Sequence, residues 1–133
     1  MYLVDTSVWI DYFKEVTNHA TKKLISILDR RDPFGITSVI YQEILQGAAS
    51  EKDFTQLKTY FSTQLFFEPQ DAILTYEAAA KLLYLCRKKG ITIRSTIDCF
   101  IAQIAIENNL VLLHNDKDYK QIQTIAPKLS LVD

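Results

Sequence analysis

The apolar positions of this chain fall into two rhythms, short unbroken runs and longer stretches with helical spacing, and the two take turns along the sequence. Residues 2–4 (YLV) are too few for a helix and rich in β-branched and aromatic types, the pattern of a buried strand. Thr6 and Ser7 can cap a helix behind it, whose first apolar residues are Val8, Trp9 and Tyr12. Asp5, between the two, reads either as part of that cap or as a functional carboxylate at a strand's carboxyl end. Over 18–30, Ala20, Leu24, Ile27 and Leu28 share one helical face and Lys22, Lys23, Asp29 and Arg30 lie off it, which predicts an amphipathic helix stopped by Pro33. FGIT (34–37) predicts a second strand. Ser38 is placed to cap a helix over 39–46 that ends at Gly47, a residue suited to a left-handed terminus.

Ser50 with Asp53 resembles a capping box opening a helix that carries Phe54, Leu57, Tyr60 and Phe61. LFFE (65–68) predicts a third strand. A long helix follows Pro69, from about Asp71 to Lys89, closed by Gly90, with Arg87, Lys88 and Lys89 in its last turn where cations suit the helix dipole. Ser95 starts another, to about Asn109. LVLL (110–113) reads as an interior strand and LSLV (129–132) as an edge strand. Strands separated by helices of this length predict an α/β fold: a mostly parallel central sheet of four to five strands, helices on both faces, right-handed crossovers. Ligands of such open sheets bind outside the carboxyl ends of the strands, where Asp5 and HNDKDY (114–119) both fall.

Composition narrows the class only a little. A chain of 133 residues that is 48% hydrophobic and 23% charged can bury a core without disulfide or metal staples, and no linker, repeat or low-complexity segment divides it, so 1–133 is expected to be a single domain. Cys86 and Cys99 lack CxxC or metal-type spacing and lie in apolar helical runs, as buried thiols of a reducing compartment would. With no signal-peptide pattern and no apolar run of membrane-spanning length, the expected location is the cytoplasm, without membrane association.

Most of the 16 acidic residues are ordinary surface or capping charges, but a few occupy positions that surface charges avoid. Glu43 shares the helix stripe of Val39, Ile40 and Ile44, so it points inward, where an unpaired carboxylate costs several kcal/mol. Asp98 sits three residues after Ser95, as a capping acid would, yet it stands above Ile101, Ala102 and Ala105, the small and apolar face of its helix. Asp116 and Asp118 follow directly on strand 110–113, in a spacing that simple turn chemistry also produces. The predicted topology brings Asp5, Glu43, Asp98 and the 116–118 pair to one crevice. Unscreened carboxylates there would repel one another, so a cation is required among them, and an all-oxygen set suits Mg²⁺ or Mn²⁺ rather than zinc. His114 is a further candidate ligand or a hydrogen-bonding support behind the ligands.

At this point four stretches, LVDTSVWIDYF, TSVIYQEILQG, TIRSTIDCFIAQIAI and LLHNDKDY, resemble the four blocks of PIN-domain ribonucleases, specifically the VapC toxins of type II toxin–antitoxin systems. The resemblance spans about residues 2–120, in order and in register. It implies a PIN-like three-layer α/β/α fold and a metal-dependent endoribonuclease cutting RNA, transfer RNA ahead of ribosomal RNA. It also implies a homodimer silenced by a cognate VapB-like antitoxin, whose C-terminal segment fills the toxin's groove, often with an arginine or lysine near the metal. Asp5, Glu43, Asp98 and Asp116 then correspond to the acidic quartet, with Asp118 as a fifth member. Asn115 with Asp118 satisfies an alternative alignment of the last block, so either Asp116 or Asp118 is the inner ligand. Thr6 corresponds to the hydroxyl that supports the first aspartate or contacts the scissile phosphate.

This resemblance changes how the net charge of −1 reads. With the five site acids set aside, 11 acidic residues face 15 Lys and Arg, a mildly basic remainder fit for an RNA backbone. Lys14, Arg94, Lys117 and Lys120, close in sequence to site residues, are the expected contacts. Trp9 and Tyr12 stack on bases or on a dimer partner, or belong to the core. A rival enzyme class, an aspartyl-phosphate phosphatase, would place Asp-x-Asp after the first strand, where this chain has Asp5-Thr6-Ser7. A non-catalytic PIN-like module binding RNA or protein is the remaining alternative; it would be marked by loss of one of the acids, and all are present.

Overall fold

A computed structural model describes residues 1–132. The elements in chain order are β1 (Tyr2–Val4), α1 (Thr6–Phe13), α2 (His19–Arg30), β2 (Phe34–Ile36), α3 (Ser38–Gln46), α4 (Glu51–Phe61), β3 (Leu65–Phe66), α5 (Ala72–Lys88), α6 (Thr96–Glu107), β4 (Val111–Leu113), α7 (Asp118–Ile125) and β5 (Ser130–Leu131). The five strands form one sheet in the order β3-β2-β1-β4-β5, and every pairing is parallel. β1 lies at its centre, with Leu3 opposite Gly35 on one side and Leu112 on the other.

The chain steps outward from β1 to β3 in one direction, then returns across the sheet to β4 and β5. Right-handed crossovers put α1–α4 on one face and α5–α7 on the other. The packing agrees: α1 contacts α2 and α3, α3 contacts α4, and α5 contacts α6 and α7. The direction of travel reverses between β1 and β4, so a crevice opens above their carboxyl ends. The predicted three-layer α/β/α architecture is therefore present. Close approach matters at one glycine of the sheet: a Cβ on Gly35 would stand 2.6 Å from the Leu65 carbonyl oxygen and from the Phe67 ring.

Several local expectations are corrected. Thr37, not Ser38, caps α3, its hydroxyl accepting from the Ile40 N–H at 3.1 Å, while the Ser38 hydroxyl turns to Glu68. Gly47 ends α3 at φ −84°, so it is not left-handed, whereas Gly90 after α5 is, at φ +75°. Val39 is only half-buried beside Ile40 and Ile44. The strand predicted at 65–68 spans only Leu65–Phe66, although the Phe67 N–H still pairs with the Ile36 carbonyl. After a short turn behind β4 the chain enters α7, a helix not anticipated from the sequence, with Tyr119 and Ile122 buried on its inner face. Cys86 and Cys99 are buried free thiols.

Candidate metal centre

Asp5 leaves β1 in an extended conformation and caps α1 itself: its Oδ2 accepts from the Ser7 N–H at 3.1 Å and from the Ser7 hydroxyl at 2.6 Å. Of the readings left open, Asp5 is part of the cap, and Ser7 serves there as donor to it instead of as the capping acceptor. Capping and site membership are not alternatives here, because a carboxylate has two oxygens. The second, Oδ1, accepts from the Tyr119 hydroxyl at 2.8 Å. Thr6 donates to Glu43 Oε1 at 2.7 Å, tying the start of α1 to the middle of α3 and holding Glu43 at the crevice. Glu43 is half-buried, as its place on the helix stripe predicted.

Ser95 caps α6 through the Ile97 N–H at 3.2 Å, and the Asp98 carboxylate turns to the crevice, where the Tyr119 hydroxyl lies 3.4 Å from its Oδ1. Asp98, Asp116 and Asp118 each present a carboxylate oxygen such that all three atoms lie within 4.8 Å of one another. Asp5 joins them through Tyr119 rather than as a member of that tight triad. Asp118 is 1% exposed and Asp116 half-buried. Asp116 makes a local turn, Oδ1 accepting from the Asp118 N–H at 3.0 Å.

Second-rank expectations sort as follows. His114 accepts the Asp116 N–H at Nδ1 (3.2 Å), which makes it a support of the turn. Asn115 is a strut: its N–H donates to the Ser7 hydroxyl at 3.0 Å and its amide to Asp11 at 2.7 Å. Arg94, expected on RNA, lays its guanidinium on the acids, Nη2 at 3.4 Å from Asp116 and Nε at 3.4 Å from Asp118. Its backbone N–H also reaches Asp118 at 3.3 Å. Lys14, Lys117 and Lys120 are exposed, the last two on a cleft of about 310 Å³ that His114 and Asp116 also line. Trp9 is fully buried, so it belongs to the core, and Tyr12 packs edge-on against it. Ser7, Asp11 and Tyr119 were missed as site residues. Tyr119, the last residue of HNDKDY, and Ile122 stand at helical spacing, which was the available signal for α7.

Electrostatics give the site its character. Burial, then the charges of Asp116, Asp5, Asp118 and Glu43, push the Asp98 carboxyl up to about 7. Burial raises Glu43 as well, opposed by the Thr6 hydrogen bond, and burial holds Tyr119 well above the usual phenol range, so that it stays a donor. Burial lowers His114. The folded chain therefore binds the Asp98 proton more tightly than the unfolded chain. Stability from this group is fully present below about pH 4 and is lost as pH rises through about 7. Glu43 acts in the same sense and His114 in the opposite one. In chelator, the melting temperature of the wild type relative to Asp98→Asn should fall from pH 4.5 to 8. A constant difference in a thermal-shift series would show that Asp98 ionises freely.

The donor set fits a hard divalent cation. Arg94 reaches Asp116 and Asp118, yet burial and the charges of Asp116, Asp5, Asp118 and Glu43 still raise the Asp98 carboxyl. An ion held by carboxylate oxygens alone would offset that charge, and such oxygens match the preference of magnesium-like ions. Among the described residues Asp98, Asp116 and Asp118 could hold such an ion, with Asp5 joined to them through Tyr119 and Glu43 held nearby by Thr6.

The PIN domain family matches residues 2–125. The chain is 32% identical over 127 residues to the VapC ribonuclease Mb1587 of Mycobacterium bovis and to the ribonuclease VapC11 of Mycobacterium tuberculosis, covering 95% of this chain and 94% of each relative. Among solved structures, VapBC-1 of nontypeable Haemophilus influenzae superposes with a TM-score of 0.73 at 23% identity, over 99% of this chain and 96% of that one. VapBC2 of Rickettsia felis, bound to a DNA fragment from its promoter, gives 0.72 at 20% identity, over 98% and 96%. The chain therefore belongs to the PIN-domain family, within its VapC group.

Proposed function

We propose that this protein is a metal-dependent endoribonuclease, the toxin of a VapBC-type pair, using Mg²⁺, with Mn²⁺ able to substitute. The supporting observation is the meeting of acids from β1, α3, α6 and the β4–α7 turn at the switch point, under repulsion that a cation would relieve. Asp5, Asp98, Asp116 and Asp118 hold the ion, and Asp118, the more buried of the last pair, is the inner ligand. When bound, such an ion acidifies a coordinated water and offsets charge developing on the phosphoryl oxygens. Glu43, with its raised affinity for a proton and its orientation set by Thr6, takes up the proton of the attacking water. Lys14, Lys117 and Lys120 face the RNA backbone. A module that only binds RNA has no use for so much buried negative charge.

The structural neighbours are VapBC assemblies, and we extend that partnership to a VapB-like antitoxin here. α5 exposes Ile73, Leu74, Tyr76 and Tyr84 and borders an apolar groove of about 420 Å³ against α6, a surface for the homodimer. No helix of the described residues is long and apolar enough to cross a membrane, and the cytoplasm is the proposed location.

The test is incubation of purified protein with total cellular RNA, with Mg²⁺ or with EDTA, and mapping of the new ends. Discrete ends should form with Mg²⁺, vanish in EDTA and return on adding excess Mg²⁺ or Mn²⁺, and their positions decide between transfer and ribosomal RNA. Cleavage indifferent to EDTA would refute the metal-dependent reading; a folded protein that cuts nothing would favour the non-catalytic module.

A further inference from the structure

We infer that the phenol of Tyr119 is a positioning residue for this centre, aiming Asp5 and Asp98 at a common ion from within the core; the inference rests on the metal-dependent reading above. Tyr119 is the second residue of α7 and is 0% exposed. Its ring packs in the hydrophobic core, 5.2 Å from the His114 ring, and its hydroxyl emerges among the acids. There it donates to Asp5 Oδ1 at 2.8 Å and stands 3.4 Å from Asp98 Oδ1. One O–H thus lies between carboxylates delivered by β1 and α6, elements far apart in sequence. Asp5 is held at both oxygens, Oδ2 by Ser7 and Oδ1 by Tyr119, so its plane is fixed before any ion arrives.

The donor's neutrality matters. A cation at this place would orient the acids but also satisfy them and compete with the ion, as Arg94 does at Asp116 and Asp118. A phenol orients them and leaves their charge intact for the metal. Core packing calls for an aromatic ring here, but not for its hydroxyl, so the two roles can be separated by removing a single oxygen.

The test uses the full chain stripped of metal, titrated with Mn²⁺ by calorimetry at pH 8, below the melting temperatures of both proteins. Tyr119→Phe should bind Mn²⁺ about tenfold more weakly than the wild type, the scale on which groups that orient metal ligands act. Its RNA cleavage should need correspondingly more Mn²⁺ and return to the wild-type rate at saturation. An unchanged isotherm, or a rate that excess Mn²⁺ fails to restore, would overturn the inference and leave the metal site standing. Failure of the wild type to bind Mn²⁺ in the same titration would overturn both.

Discussion

Replacing Asp98 by asparagine should lower RNA cleavage by about 10²–10³-fold or more while the protein still folds, the scale on which losing one charge-stabilising group acts at a preorganised site. The substitution keeps size and shape and removes one charge from the place where the surrounding acids press hardest. Asp116, Asp5, Asp118 and Glu43 all raise its affinity for a proton. Two further results follow from the same geometry. Without metal at pH 8 the variant should melt at a higher temperature than the wild type, because the folded state no longer carries that buried charge. With metal it should gain little, whereas an ion present at 100 times its dissociation constant adds about 2.7 kcal/mol to a protein that binds it. Thermal shift with and without Mg²⁺, beside a cleavage assay, reads all three. Cleavage at the wild-type rate would remove Asp98 from the site.

The opposite signs of those effects explain which parts of the centre could be read in the sequence. Asp98 and Glu43 were visible because a carboxylate on an apolar helical stripe violates a local pattern, and natural sequences break such patterns mainly where function requires it. Asp5 was visible as an acid at a strand end, but its hydrogen bonds were not. The choice between cap and ligand dissolves only when each oxygen is assigned its own partner. The hydroxyl of Tyr119 obeys every local rule of a core aromatic and becomes chemical solely through residues more than 20 positions away. Arg94 is similar: sequence proximity suggested RNA, whereas the loop before α6 folds its guanidinium back onto the β4–α7 turn. The strand order was likewise open until the return crossover to β4 was seen, and that crossover is what brings the 116–118 acids beside Asp5.

Trp9→Ala should abolish function by the other route, through the fold. Trp9 is 0% exposed on α1, edge-on to Phe61 at a centroid distance of 4.9 Å, stacked on Phe13 at 6.1 Å and tilted against Phe34 at 5.9 Å. It thereby ties α1 to α4 and to β2. Its indole N–H is buried without a hydrogen-bond partner among the described residues, so truncation acts through packing. Removing so large a buried side chain costs about 3–5 kcal/mol, against a total of about 5–15 kcal/mol for a typical domain. α1 begins at Asp5 and Thr6, so the loss should also loosen the cap and the Glu43 contact that hold the crevice together. Urea unfolding should show the free energy of unfolding lowered by that amount, read as a lower midpoint at unchanged slope, and Trp9→Phe should retain more of the stability. Stacking on RNA bases makes a different prediction: near-normal stability for Trp9→Ala, weakened RNA affinity, and quenching of Trp9 fluorescence by RNA in the wild type. A side chain closed off from solvent should instead show lost stability in Trp9→Ala and no quenching of Trp9 fluorescence by RNA in the folded wild type.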